Sequence, residues 1–113
     1  MSMKENPEVS VVITTYKRAE KLSRAISSVL SQTLREWELL IVDDNNSDSE
    51  YRKETEAFMA PYLADGRIKY LKHERNAGAP AARNTGIKAA VGKYVALLDA
   101  DDEFESTKLE KQL

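Results

Sequence analysis

The prediction of the fold rests first on Val9-Ser-Val-Val-Ile-Thr-Thr15, a segment that is almost continuously apolar and rich in β-branched residues. This composition is typical of a strand that is covered on both faces. Similar segments follow at Trp37-Glu-Leu-Leu-Ile-Val42, Arg67-Ile-Lys-Tyr-Leu-Lys72 and Lys93-Tyr-Val-Ala-Leu-Leu98. The third of the four alternates more strictly between apolar and polar residues, which favours a position near the edge of a sheet.

Helical patterns separate these four strands. The first helix is indicated by amphipathic spacing of Leu22, Ala25, Ile26, Val29 and Leu30. A second is predicted from a Ser49 cap to about Leu63, and a third from Ala81 to Val91 with Gly92 as a left-handed cap. Strands that alternate with helices predict an α/β fold with a Rossmann-like, open and mainly parallel sheet. We expect one domain over residues 1–113.

The composition excludes several classes of protein. A net charge of -2 provides no basic field for nucleic acid, so we expect no nucleic-acid partner. With no Cys and one His, the chain cannot form disulfides, thiolate zinc sites or a histidine cluster. The apolar runs are too short for a signal peptide or a transmembrane segment. We therefore expect a cytoplasmic protein, with peripheral attachment to a membrane as an open alternative.

Polar side chains follow three of the predicted strands at the point where each strand ends. They are Thr14, Thr15 and Tyr16 after the first strand, Asp43 and Asp44 after the second, and Asp99 and Asp101 after the fourth. In an open parallel sheet, ligands bind beyond the carboxyl ends of the strands, where the strand order reverses. Asp99 and Asp101 are two residues apart, so in extended backbone they can converge on one cation. An Asp-rich turn is the alternative explanation of these carboxylates, and an Asx turn is the alternative at Asp43 and Asp44.

Four motifs together resemble those of family 2 glycosyltransferases with the GT-A fold. They are Val-Ser-Val-Val-Ile-Thr-Thr-Tyr-Lys-Arg (9–18), Glu-Leu-Leu-Ile-Val-Asp-Asp-Asn-Asn-Ser-Asp (38–48), Asn-Ala-Gly-Ala-Pro-Ala-Ala-Arg-Asn-Thr-Gly (76–86) and Leu-Asp-Ala-Asp-Asp (98–102). The chain is similar to the N-terminal, nucleotide-sugar-binding half of this family. The resemblance implies a nucleotide-sugar donor, most often a UDP-sugar, and a divalent cation such as Mn²⁺ or Mg²⁺. It also implies inverting transfer to a saccharide or lipid-linked acceptor, which the sequence does not identify.

The resemblance assigns roles to individual residues. Asp44 would accept a hydrogen bond from the pyrimidine ring N–H, and Thr14 and Tyr16 would line the base pocket. Arg83 would pair with the diphosphate, or alternatively with Asp101.

In the Asp-x-Asp motif, the resemblance puts Asp101 on the metal and Asp99 near the ribose or the metal's waters. The family's catalytic base is a carboxylate well downstream, so we assign no catalytic residue within residues 1–113. We expect the acceptor-binding half to be absent and transfer by this chain alone to be very weak or missing. The missing half would leave apolar surface uncovered beside the fourth strand, which favours self-association.

Three other functions are alternatives. A phosphoacceptor receiver domain would have its acidic pair after the first strand rather than the second. A nucleotidyltransferase that makes nucleotide sugars would need a Gly-rich phosphate loop, and the segment from Thr14 to Ala19 contains no Gly. The third alternative is a non-catalytic nucleotide-binding or interaction module that keeps the fold.

Overall fold

The computed structural model describes residues 7–99, with Asp99 described by its backbone alone. The strands are β1 (Val9–Thr15), β2 (Trp37–Asp43), β3 (Ile68–Lys72) and β4 (Tyr94–Asp99). They pair in parallel in the order β3-β2-β1-β4. The predicted open, parallel sheet is confirmed, and β3 lies at an edge as its alternating sequence indicated.

Three helices connect the strands on two sides of the sheet. They are α1 (Leu22–Leu30), α2 (Glu50–Met59) and α3 (Ala79–Ala89), with short 3₁₀ turns at Ala19–Lys21 and Ala60–Ala64. Side chains of α1 and α2 share one buried cluster with Val11 and Ile13 of β1, and α3 packs on the opposite face against Val12. The chain runs from β1 through β2 to β3 at one edge of the sheet, and β4 then pairs with the other side of β1. Because the crossover connections all have the same hand, this reversal puts α3 on the face opposite to α1 and α2. No helix in residues 7–99 is long and apolar enough to cross a membrane.

The helix ends differ from the predicted ones for identifiable reasons. Ser49 caps α2 as predicted, since its hydroxyl accepts from the Arg52 N–H at 3.1 Å. The α-helix then ends at Met59 and continues as the 3₁₀ turn, because Pro61 has no N–H to continue the helical ladder. Helix α3 begins two residues earlier than predicted, directly after Gly78, whose φ of 100° is left-handed.

The predicted left-handed cap at Gly92 is wrong. Helix α3 ends before an extended Ala90, and Gly78 is the glycine with positive φ in the described part of the chain. Gly92 instead allows a close approach to β1, because a Cβ atom there would lie 2.8 Å from the backbone nitrogen of Ser10. The Gly92 N–H donates to the Ser10 hydroxyl at 2.8 Å, which in turn donates to the buried carboxylate of Glu38.

A buried ion pair lies beneath the carboxyl ends of β2 and β3. The Arg52 Nε donates to Asp43 Oδ2 at 3.0 Å, and its guanidinium also donates to the backbone carbonyls of Asn45 and His73. Asp43 Oδ1 accepts from the Asn45 N–H at 2.9 Å, so the Asx turn that was an open alternative is formed by Asp43. Tyr70 donates to the same carboxylate, and burial together with this neighbour raises the pKa of Tyr70. Arg52 thus fixes the loop after β2, which begins with Asp44.

Strand β4 leaves apolar side chains exposed. Tyr94, Val95 and Leu97 expose 55%, 42% and 48% of their surface, respectively. By register, Val95 and Leu97 lie on the same face as Ser10 and Val12 of β1. Uncovered apolar surface beside the fourth strand, as expected from the sequence, is therefore present among the described residues.

We predict that Gly86→Ala destabilises the protein. A Cβ atom at Gly86 would lie 2.3 Å from Cγ1 of the buried Val12, so α3 or β1 must shift. Overpacking costs about 1–3 kcal/mol, and the better helix propensity of Ala recovers no more than about 1 kcal/mol. The free energy of unfolding, measured in urea, should fall. Gly66→Ala is the matched control, because no atom lies within 4 Å of its added Cβ and its stability should not fall. A Gly86→Ala variant as stable as the Gly66→Ala control would contradict this packing.

We also predict that Arg52→Ala lowers the free energy of unfolding by about 3–5 kcal/mol, because it leaves the buried Asp43 carboxylate without its cation. The neighbouring exposed Lys53 provides the control, and Lys53→Ala should change stability by less than about 0.5 kcal/mol. Urea unfolding of both variants measures the difference. Equal losses in the two variants would show that the Asp43–Arg52 pair does not stabilise this loop.

Candidate functional site

A cleft opens at the carboxyl ends of β1 and β2, next to the start of α3. Its volume is about 370 Å³, within the range of small-molecule sites. The lining residues are Thr14, Thr15, Tyr16, Asp44, Asn76, Gly78, Ala79 and Ala82. Thr14, Tyr16 and Asp44, for which the family resemblance implies nucleotide binding, therefore lie together in one cleft. Strand alternation puts Thr14 on the α3 face with Val12, whereas Thr15 belongs to the opposite face.

Asp44 connects the end of β2 to the segment from His73 to Gly78. Its side chain is only 4% exposed, and each carboxylate oxygen accepts two hydrogen bonds. Oδ1 contacts Nδ1 of His73 at 2.8 Å and accepts from the Ala77 N–H at 2.8 Å. Oδ2 accepts from the Asn76 side-chain amide at 2.8 Å and from the Gly78 N–H at 2.9 Å. These four contacts match the acceptor capacity of a carboxylate, so Asp44 holds the loop that leads into α3.

The loop after Tyr16 has a backbone conformation that is uncommon for its residues. Lys17 and Arg18 have φ angles of 59° and 46°, and both are non-glycine residues in the left-handed region. The Lys17 N–H donates to Oδ1 of Asn45 at 2.8 Å, which ties this loop to the loop after β2. The Lys17 ammonium also lies 5.1 Å from the centre of the Tyr16 ring and 5.2 Å from that of Tyr51. Tyr16 is 47% exposed and is held beside the mouth of the cleft.

The other assigned residues have different relations to this cleft. Arg83 is partly buried on α3, one turn after Ala79, and it is not among the residues that line the cleft. The backbone of Asp99 pairs in register with Thr14, so this residue lies at the same edge of the sheet. Asp101 lies outside the described residues. Among the side chains that the structure describes, no group of three His, Asp or Glu is arranged to hold a metal ion.

Two residues whose side chains contact the Asp44 carboxylate were not assigned from the sequence. Asn76 lines the cleft, and its side-chain amide covers one oxygen of Asp44. His73 lies behind Asp44 and reaches α3 through Thr85. A sequence signal existed for the loop, because Gly78 before Pro80 suggests a helix start, but the partners of an isolated His cannot be inferred from local sequence.

Comparison with known proteins identifies relatives of this chain. The chain is 43% identical over 105 residues to the Escherichia coli protein named UDP-Glc:alpha-D-GlcNAc-diphosphoundecaprenol beta-1,3-glucosyltransferase WfgD. This match covers 93% of the chain but only 39% of that protein.

Solved structures show the same fold. S. aureus TarS 1-349 in complex with UDP superposes with a TM-score of 0.79 at 28% sequence identity, covering 93% of this chain and 30% of that chain. The mannosyltransferase PcManGT from Pyrobaculum calidifontis, in complex with GDP-Man and Mn²⁺, superposes with a TM-score of 0.73. At 21% identity, over 88% of this chain and 29% of that one, this second likeness concerns the fold alone.

The chain thus spans less than half the length of these relatives. The family described as Glycosyl transferase family 2 matches residues 10–113, which include all the described strands and helices except Val9, the first residue of β1. The chain belongs to glycosyl transferase family 2.

Proposed function

We propose that this chain is the donor-binding part of a glycosyltransferase and that its cleft binds a nucleotide sugar, with UDP-sugars as the preferred class. The observation that carries the proposal is the convergence of Thr14, Tyr16 and Asp44 on one cleft at the carboxyl edge of the sheet. Support also comes from the UDP complex of TarS, which has the same fold, and from the UDP-Glc donor in the name of WfgD.

The nucleobase is proposed to bind between Tyr16 and the loop that follows β2. The exposed Tyr16 ring offers an apolar face for the base, and the Lys17 ammonium against it restricts its rotation. The Thr14 hydroxyl, on the cleft side of β1, offers a hydrogen bond. These contacts favour a flat, polar ring without yet selecting one base.

Selection of uracil is proposed to come from Asp44. A carboxylate accepts hydrogen bonds only, so it favours the ring N–H of uracil over the unprotonated ring nitrogen of cytosine. Because both oxygens already have two partners, the uracil N–H must replace one of them. The Asn76 amide is the donor that can leave, since Asn76 is exposed and the bond breaks by a side-chain rotation.

The diphosphate is proposed to lie toward β4 and α3. Asp101 and Asp99 would hold a divalent cation, because carboxylate oxygens are the ligands that Mg²⁺ and Mn²⁺ prefer, and the backbone of Asp99 borders Thr14 at the cleft edge. When bound, such a cation stabilises the charge on a departing nucleoside diphosphate. Arg83, one turn into α3, is proposed to contact the same diphosphate.

Sugar transfer needs an acceptor and a catalytic base in addition to the donor-binding residues described above. We propose inverting transfer to a saccharide or lipid-linked acceptor as the activity of the whole enzyme. The catalytic base is not among the residues assigned here, so donor binding is the function that this chain itself should perform. We retain the expectations of a cytoplasmic location and of self-association through β4 as proposals.

The donor and metal assignments predict a specific pattern of thermal stabilisation. UDP with Mn²⁺ should raise the melting temperature of the wild type, by the equivalent of about 2.7 kcal/mol at a ligand concentration 100 times Kd. GDP and CDP should stabilise less. Asp101→Ala should lose the Mn²⁺-dependent part of the effect, as measured by thermal-shift titration.

Asp102→Ala is the matched control for this experiment, because it removes an adjacent carboxylate that the proposal does not use. It should retain the stabilisation by UDP and Mn²⁺. Equal stabilisation of the Asp101→Ala variant and the wild type would rule out Asp101 as a metal ligand, and a wild type that millimolar UDP does not stabilise would rule out the function.

Self-association predicts that the mass measured by sedimentation equilibrium rises with protein concentration. Leu97→Glu should reduce the association, because it places a charge in the exposed apolar face of β4. The equally exposed Leu63, on the 3₁₀ turn after α2, provides a control in which Leu63→Glu has no effect. A monomeric wild type at all concentrations would contradict the expectation.

A further inference from the structure

We infer that His73 is a positioning residue for nucleobase recognition, acting by orienting the carboxylate of Asp44. The inference rests on the proposed binding of UDP in the cleft. His73 is not among the lining residues, and of its two side-chain partners, Asp44 and Thr85, Asp44 is the one that lines the cleft.

The imidazole of His73 bridges the loop after β2 and helix α3. Its Nδ1 lies 2.8 Å from Oδ1 of Asp44, and its Nε2 lies 2.8 Å from the hydroxyl oxygen of Thr85 on α3. Because the Asp44 carboxylate only accepts, the Nδ1 atom must carry the hydrogen of this bond. The Thr85 hydroxyl also lies 3.1 Å from the Ala81 carbonyl oxygen, and it donates its single hydrogen to one of these two partners at a time. Both ring nitrogens thus meet oxygens at fixed positions.

The backbone of His73 is held as firmly as its ring. Its N–H donates to the Asp43 carbonyl at 2.9 Å, and its carbonyl accepts from the Arg52 guanidinium. The side chain is only 16% exposed, so solvent offers little competition for its bonds. A ring fixed at both ends and at its backbone leaves Oδ1 of Asp44 little freedom to move.

This arrangement matters because the Asn76 bond must exchange while the rest of the carboxylate stays in place. If a uracil N–H replaces the Asn76 amide on Oδ2, the bonds from His73 and Ala77 to Oδ1 keep the plane of the carboxylate unchanged. Without His73, Oδ1 keeps only the Ala77 N–H, so the carboxylate can tilt. The tilt weakens both its attraction for the N–H of uracil and its repulsion of the bare ring nitrogen of cytosine. The preference for UDP over CDP should therefore depend on His73.

The test compares the Kd values of UDP and CDP, measured by calorimetry in a buffer containing Mn²⁺, for the wild type and His73→Ala. We expect the preference for UDP to fall roughly tenfold in His73→Ala, in line with loss of one hydrogen bond to a charged group. His73→Asn, whose amide can still donate near the Nδ1 position, should restore most of the preference. Lys72→Ala is the matched control, since this neighbouring side chain pairs with Glu56 away from the cleft, and its preference should be unchanged.

The readout separates a positioning role from a structural one. Loss of folding weakens UDP and CDP alike, so an unchanged ratio of Kd values in His73→Ala, with only a lower melting temperature, would overturn the inference and leave the proposed function intact. A wild type that binds neither nucleotide would overturn the proposed function itself. If His73→Ala does not fold, Thr85→Val, which removes only the outer anchor of the ring, should reduce the preference by about threefold, and an unchanged preference there would overturn the inference.

Discussion

The carboxylate of Asp44 is the interaction on which the site depends. A buried charge is unfavourable unless hydrogen bonds compensate for it, and here four donors do so. Three of these donors belong to the segment from Asn76 to Gly78, which leads directly into α3. The end of β2 and the start of α3 are therefore joined by one side chain, and the cleft lies between them and the end of β1. Removing this carboxylate would leave the loop without its anchor.

The sheet brings this anchor to the correct edge. In a parallel sheet the carboxyl ends of all strands lie at the same edge. Because β4 pairs with β1, its carboxyl end lies beside those of β1 and β2. Close packing of α3 on β1 keeps the start of the helix in place. This packing requires a glycine at position 86, because Val12 occupies the space that a side chain there would need. The buried Asp43–Arg52 ion pair fixes the turn at the end of β2. The geometry of the cleft thus follows from packing on both faces of the sheet.

Much of this arrangement could be predicted from the sequence because it depends on local pattern. Apolar periodicity identified the four strands and three helices of residues 7–99, and the motifs around Thr14, Asp44 and Asp101 identified the family. The failures concern contacts between distant segments. Gly92 was interpreted as a helix cap, whereas it permits the approach of Ser10, a residue distant in sequence. Likewise, nothing near His73 in the chain indicates that its ring joins Asp44 to Thr85. Asp101 falls outside the described residues, and its role stays a prediction.

Amide hydrogen exchange of Ala77 and Gly78, followed by NMR, tests the central role of Asp44 most directly. Both N–H groups donate to this carboxylate, so they should exchange slowly in the wild type. In Asp44→Ala they should lose this protection, while the amides of β2 that bond to β1 remain protected. Rapid exchange of Ala77 and Gly78 in the wild type, or protection that persists in Asp44→Ala, would contradict the account.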